Sequence, residues 1–223
     1  VIKTKKGELS IKVNQSTILS KSLRSFPEKW HGLKDKETRF RQRYLDLIVN
    51  PESKKILETR SKVIKLIREF LHENSFVEVE TPILQTKAGG AIAKPFTTHH
   101  NALGLDMYLR IAPELYLKRL IIGGFEKVFE LGKIFRNEGI DQTHLPEFTM
   151  LESYQAYVDA NSVMDMVEDM CTYVFKNLET DTKLHFGENT ADFSGPWKRV
   201  SMFDLVSEKL NIDIQFNLSL IHI

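Results

Sequence analysis

The sequence contains one cysteine, Cys171, in 223 residues. That excludes an internal disulfide framework and fits a reducing compartment. No apolar run approaches the roughly twenty residues that a membrane-spanning helix requires; the longest lie near Leu120 and Leu218 and are short. The opening Val-Ile-Lys-Thr-Lys-Lys lacks the apolar region of a secretory signal. Charge of one sign is also missing: Lys+Arg 31 against Asp+Glu 30 leaves a formal net charge of +1. No global field recruits polyanions, so any nucleic-acid contact must come from a local patch. The 11 glycines form neither a Gly-x-Gly-x-x-Gly fingerprint nor a phosphate loop ending in Gly-Lys-Ser/Thr. What is present, 42% hydrophobic and 27% charged residues, is the composition of a globular protein with enough chain to bury a core. The chain opens on Val1 rather than methionine, which is read as a start within a longer protein.

Residues 7–13 alternate Leu9, Ile11 and Val13 with Ser10 and Lys12, the period of a half-buried strand. A strand or two cannot fold alone, so this segment reads as the end of a preceding β-domain. Residues 29–47 mix Trp30, Phe40 and Tyr44 with alternating charges. They read as a solvated linker and short helix, with a local RNA- or partner-facing patch as the sharper alternative. Asn50-Pro51-Glu52 then gives an N-cap, a proline at N1 and a first-turn acid. A helix follows to Asn74, with Ile56, Val63, Ile67 and Phe70 or Leu71 on one stripe.

Phe76-Val77-Glu78-Val79-Glu80 alternates up to Thr81-Pro82 and reads as a strand near a sheet edge. Gly89-Gly90-Ala91 is a loop where backbone can approach a ligand. Residues 107–111 read as a strand, and Pro113 opens a short helix closed by Gly123-Gly124. Strands over 127–131, 134–138 and 148–158 follow. Two strands joined by a short polar loop argue for an antiparallel sheet and against a doubly wound nucleotide fold. Further on, Val163, Val167, Cys171 and Val174 suggest a helix, and residues 183–200 further strands. Residues 212–223 alternate like a strand and read as a tail unlike the rest.

Side chains alternate across a strand, so Arg136 and Glu138 share one face, as do Phe148, Met150, Glu152 and Tyr154 on the partner strand. If both faces point the same way, one hairpin presents an arginine, two carboxylates, a phenol and a phenyl ring. Buried together, such charges need a ligand or one another. Arginine suits a phosphate or carboxylate, an aromatic suits a flat base, and a carboxylate beside a tyrosine suits a cation. His144 in the loop can add a phosphate contact, and Glu114 another carboxylate. The ordinary readings are a surface salt bridge for Arg136, a core ring for Phe148 and a helix first-turn acid for Glu114.

Phe135-Arg136-Asn137-Glu138, followed by His144-x-x-x-Phe148-x-x-x-Glu152, resembles motif 2 of the class II aminoacyl-tRNA synthetases. The long helix leading into residues 76–82 resembles their motif 1. Residues 33–39, 41–47, 89–91 and 107–118 narrow the resemblance to the lysyl-tRNA synthetases; it runs from about Gly7 to Asp159 and weakens beyond. It implies an α+β fold: a class II antiparallel sheet flanked by helices, preceded by the last strands of an OB-fold β-barrel. The expected domains are 1–29, the end of an anticodon-binding OB-fold; 30–50, a linker; and 51–223, part of the catalytic domain. Motif 3 is not found after Asp159. It and the magnesium ligands are expected in a part of the protein outside this chain, so no metal ligand is assigned here, and the chain alone is expected to be inactive.

The resemblance implies activation of L-lysine by ATP to lysyl-adenylate and its transfer to tRNA(Lys), with ATP as substrate and Mg2+ as cofactor. It implies a cytoplasmic homodimer joined through motif 1, without a membrane partner. Arg136 would be catalytic, holding the lysine carboxylate and the ATP α-phosphate. Arg136, Asn137, Glu138, His144, Leu145 and Phe148 would bind ATP, with Phe148 stacked on adenine, Glu138 at its amine and His144 at the outer phosphates. Gly90, Glu114, Arg136, Glu152 and Tyr154 would bind lysine, the α-amine between the Gly90 carbonyl and Glu114, the ε-ammonium facing Glu152 and Tyr154. Two positions depart from the family: Ser75 and Leu145, where glycine and asparagine are usual. A non-catalytic dimerisation or RNA-binding module is the alternative, and the aspartate and asparagine synthetases are the nearest rival enzymes. A carboxylate at Glu152 argues against an acidic substrate.

Overall fold

The computed structural model describes residues 1–24, 33–178 and 180–211. The chain divides into two compact units, Val1–Arg60 and Ser61–Ile223. The start of the expected linker, including Trp30, and the alternating segment 212–223 lie outside the described residues.

In the first unit, β1 (Ile2–Lys3) and β2 (Leu9–Ser10) form a two-stranded antiparallel hairpin. The expected strand over residues 7–13 is thus shorter than its alternation suggests. Ile11 and Val13 lie exposed, because a strand needs a hydrogen-bonded neighbour beyond a single ribbon to persist. No barrel is formed among the described residues of this segment. Helix α1 (Lys36–Arg41) is capped by Asp35, which accepts from the Thr38 backbone N–H at 2.7 Å. Helix α2 (Arg43–Val49) follows and buries Asp46. This carboxylate accepts from Asn50 Nδ2 at 2.7 Å, Arg39 Nε at 2.6 Å and Arg43 Nη1 at 2.7 Å. These donors, Asn50 foremost, hold its pKa below the usual carboxylate range. The charged segment therefore folds around its own ion pairs.

Helix α3 (Pro51–Glu73) runs across the boundary between the units, with Glu52 in its first turn. Of its expected apolar stripe, Phe70 and Leu71 are buried and Ile67 packs against the core, whereas Ile56 is 67% exposed. The stripe is therefore a core-facing feature only in its C-terminal half. The helix ends in a Schellman arrangement: Phe76 N–H donates to Leu71 O at 2.9 Å and Ser75 N–H to His72 O at 3.0 Å. The residue between must be left-handed, and Ser75 has φ 66°.

The second unit contains two three-stranded sheets. In the first, β3 (Val77–Glu78) is an edge strand parallel to β7 (Lys127–Phe135), which pairs antiparallel with β8 (Glu147–Gln155). In the second, β6 (Leu105–Leu109) lies between β4 (Leu84–Gln85) and β5 (Thr97–His100), all antiparallel. The edge placement of residues 77–78 agrees with the sequence. The antiparallel pairing expected of the strands joined by the polar loop is found in β7–β8, and β3 joins that sheet parallel to β7. The two strands expected over 127–131 and 134–138 are one strand, continuous through Gly132, and Arg136 and Glu138 lie just beyond it.

Helix α4 (Glu114–Ile122) follows Pro113 and ends at Gly123-Gly124, as expected. Helix α5 (Ala160–Leu178) places Met166, Met170 and Tyr173 against the core of Phe70, Leu71, Phe76 and Phe129. The helix suggested by Val163, Val167, Cys171 and Val174 is α5; of that set Val174 is buried, while Val163 and Val167 are exposed. Long methionine side chains one residue away fill the gap better than the shorter valines. A hairpin of β9 (Lys183–Phe186) and β10 (Asn189–Asp192) and helix α6 (Met202–Leu210) complete the described fold.

Candidate active site

The β7–β8 ladder sets the register on which the site depends. Ile134 is opposite Phe148, Gly132 opposite Met150, Glu130 opposite Glu152 and Val128 opposite Tyr154. Directly opposed residues share a face. Arg136, two residues past Ile134, therefore belongs with Phe148, Glu152 and Tyr154, and its backbone N–H still pairs with Pro146 O at 2.9 Å. The Arg136 guanidinium lies over the Phe148 ring, 5.3 Å from its centroid, and its Nε and Nη2 approach Ile111 O at 3.4 Å. Stacking on the ring leaves most guanidinium donors unspent, which suits an arginine that must receive an anion.

A cavity of about 180 Å³ opens here, lined by Arg136, Glu138, Gly139, Thr143, His144, Leu145 and Phe148. Five of these were expected from sequence. Asn137 does not line it; its backbone N–H donates to Lys94 O at 2.7 Å. Lys94 N–H in turn donates to Glu138 Oε1 at 3.2 Å, so the segment before β5 braces the loop base. Asp141, which sequence reasoning passed over, organises the loop. Its Oδ1 accepts from Thr143 N–H at 2.7 Å and His144 N–H at 2.8 Å, and its Oδ2 lies 2.8 Å from His144 Nδ1. These bonds, that of the Thr143 backbone first, hold the Asp141 pKa below the usual range. Nε2 is the His144 nitrogen that Asp141 leaves unengaged. The Asp-x-x-His spacing was the available signal.

The second cluster flanks Arg136. Tyr154 donates to Glu152 Oε2 at 3.2 Å. Burial, opposed by that hydrogen bond and reinforced by repulsion from Glu114, raises the Glu152 pKa. Burial and the Glu152 charge push the Tyr154 phenol up as well. Gly90 has φ 85°, and a Cβ there would stand 3.0 Å from Glu114 Cβ and 3.7 Å from its Oε2. Only glycine brings backbone this close to the Glu114 carboxylate without strain. Glu114 also pairs with Lys118 at 2.6 Å, a partner the sequence did not single out.

Opposite Glu152 on the same face is a buried ion pair between Arg110 and Glu130, 2% and 4% exposed. Arg110 Nε donates to Lys133 O at 2.9 Å and Nη1 to Thr81 O at 3.2 Å, while Thr81 Oγ1 donates to Glu130 Oε2 at 2.6 Å. The guanidinium fits because position 132 is glycine: a Cβ there would collide with Arg110 Nη2 and stand 3.3 Å from Glu130 Oε1. Nothing in local sequence pairs residues twenty positions apart.

Chemically, the cavity offers an aromatic face, a carboxylate, an imidazole and an arginine, a set suited to a purine nucleotide. The second cluster offers carboxylates, a phenol and a close backbone, suited to a molecule with two ammonium groups. Among the described residues, no group of three or more His, Cys, Asp or Glu side chains is disposed to hold a metal ion. No described helix is long and apolar enough to cross a membrane.

Residues 35–220 match the family described as tRNA synthetases class II (D, K and N). This match extends well past Asp159, where the sequence reading expected the resemblance to weaken. The chain is 55% identical over 213 residues to a lysine–tRNA ligase of Clostridium tetani, covering 96% of this chain and 42% of the relative. It is 56% identical over 212 residues to that of Thermotoga maritima, covering 95% and 42%. The lysine–tRNA ligase of Prochlorococcus marinus is 56% identical over 211 residues, covering 95% and 41%. The chain thus spans about two fifths of the length of these curated relatives.

Proposed function

The chain belongs to the class II tRNA synthetases (D, K and N), and from that membership we propose that it carries the lysine- and ATP-binding core of a lysine–tRNA ligase. In this reading Phe148 and Glu138 receive adenine, and His144 and Leu145 border the outer phosphates. Asn137 acts through its backbone bond to Lys94, and Arg136 bridges the α-phosphate and the lysine carboxylate. A lysine carboxylate oxygen attacks the α-phosphorus, the bond to the β-phosphate oxygen breaks, and pyrophosphate leaves. Arg136 stabilises the charge gathering on the α-phosphoryl oxygens. The lysyl group then passes to a terminal ribose hydroxyl of tRNA(Lys), releasing AMP.

The observation that carries the substrate choice is Glu152. It is partly buried, hydrogen-bonded by Tyr154, and without an ion-pair partner among the described residues. Such a carboxylate calls for a cation, and the ε-ammonium fits where an apolar or acidic side chain does not. Gly90 and Glu114 provide for the α-ammonium. Magnesium accompanies ATP, and its protein ligands are assigned to other parts of the enzyme. The β1–β2 hairpin is read as the end of an anticodon-binding barrel, residues 30–50 as a linker and 51–223 as catalytic. A cytoplasmic homodimer joined through α3 and the strand after it completes the reading.

The test is lysine-dependent exchange of pyrophosphate into ATP by the full-length protein. Exchange that depends on lysine and not on aspartate or asparagine is expected. Glu152→Gln should raise the lysine requirement far more than the ATP requirement, and equal effects would refute its assignment.

A further inference from the structure

Glu114 and Lys118 are four apart on α4, and such pairs are commonly no more than a solvated helix face. Three further observations set this one apart. The two carboxylate oxygens of Glu114 are divided between partners: Oε1 meets Lys118 Nζ at 2.6 Å, whereas Oε2 lies on the Gly90 side, 3.7 Å from where a Cβ on that glycine would be. The Glu114 side chain is less exposed than that of Lys118, 29% against 55%, so the ammonium caps the carboxylate from the solvent side. The same ammonium stands 6.0 Å from the centroid of the Tyr154 ring, whose hydroxyl donates to Glu152. Lys118 thus contacts the Glu114 end of the lysine site directly, whereas it approaches only the ring of Tyr154 and not the hydroxyl that meets Glu152.

We propose that Lys118 is a positioning residue. It holds Glu114 Oε1 so that Oε2 faces the α-ammonium of the amino acid beside Gly90, and so sets the requirement for that ammonium. This rests on the lysine site proposed above. Without the Lys118 charge, Glu114 is free to rotate toward solvent, and the α-ammonium loses a fixed acceptor while the ε-ammonium keeps Glu152 and Tyr154. The consequence is specific: discrimination should change at one end of the ligand only.

The experiment compares L-lysine with 6-aminohexanoate, which has the same carboxylate and terminal amine but no α-amine. Binding to full-length wild type, Lys118→Met and Lys118→Arg is followed by titration calorimetry, with thermal melts to verify folding. Lys118→Met should weaken lysine about fivefold, the scale of a partly exposed charge pair, and leave 6-aminohexanoate and ATP unchanged; Lys118→Arg should restore most of the lysine affinity. Equal weakening of both amines, or no change in either, would overturn the role of Lys118 while leaving the lysine site standing. Wild type that binds neither compound would overturn the lysine site itself, and this role with it.

Discussion

Glu130 and Glu152 stand directly opposite each other across the β7–β8 ladder, on one face of the sheet, yet only Glu130 has an ion-pair partner among the described residues. Glu130 is sealed against Arg110, while among the described residues Glu152 receives a hydrogen bond from the Tyr154 hydroxyl alone. In the function proposed above, the first carboxylate supports the sheet and the second receives the ligand.

That difference makes Glu152 sensitive to pH. Burial is the largest cause of its raised pKa, so its proton is held more tightly in the folded than in the unfolded chain. Stability of the free protein should therefore fall as pH rises through that range, and Glu152→Gln should remove the fall. Lysine affinity should move oppositely, weakening as pH drops, with the loss beginning above the ordinary glutamate value. Calorimetric titrations and urea melts over the same pH series measure both. Parallel pH profiles for wild type and Glu152→Gln would sink the assignment.

Removing the Tyr154 hydroxyl tests the same pocket from the other side. Tyr154→Phe deletes one hydrogen bond to a charged acceptor and should raise the lysine KM by about tenfold. The ATP KM should stay within experimental error, because Tyr154 lies outside the cavity of Arg136 and Phe148. Pyrophosphate exchange with each substrate varied in turn separates the two.

Breaking the buried pair should be costly in stability. Arg110→Met leaves Glu130 buried without its cation and should destabilise by about 3–5 kcal/mol. The double variant Arg110→Met/Glu130→Leu, which leaves no uncompensated charge, should lose much less. Urea midpoints for the two single variants and the double form the cycle, and a double variant as unstable as the sum would contradict it.

Ser75 offers a stabilising change. It occupies the left-handed position of the α3 terminus with φ 66°, where a side chain is strained. Ser75→Gly should stabilise the fold by about 1 kcal/mol, and Ser75→Ala should not. Thermal unfolding distinguishes these outcomes.

The parts of the fold legible in sequence were those written locally. Asn50-Pro51-Glu52 and Pro113 with Gly123-Gly124 mark the ends of α3 and α4, and side-chain alternation brings Arg136 to the face of Phe148. What was not legible depends on partners far along the chain. The alternation of Leu9, Ile11 and Val13 promised a longer strand, but pairing stops at Ser10. The spacing of Val163, Val167, Cys171 and Val174 announced α5 but not which of its side chains would meet Phe70 and Phe129, where Met166 and Met170 pack. Lys118 and Arg110 were visible only as residues of a resembling stretch, because their roles arise from contacts with Tyr154 and Glu130.

The absence of a side chain at Gly132 also constrains how this sequence can drift. A methyl group there needs the space that Arg110 occupies, and shortening Arg110 first strands Glu130. Each single step passes through a weakened protein, so positions 110, 130 and 132 are expected to be inherited as one unit. A designer wishing to replace this buried pair must exchange Arg110 and Glu130 together, and can place a side chain at position 132 only once Arg110 is gone.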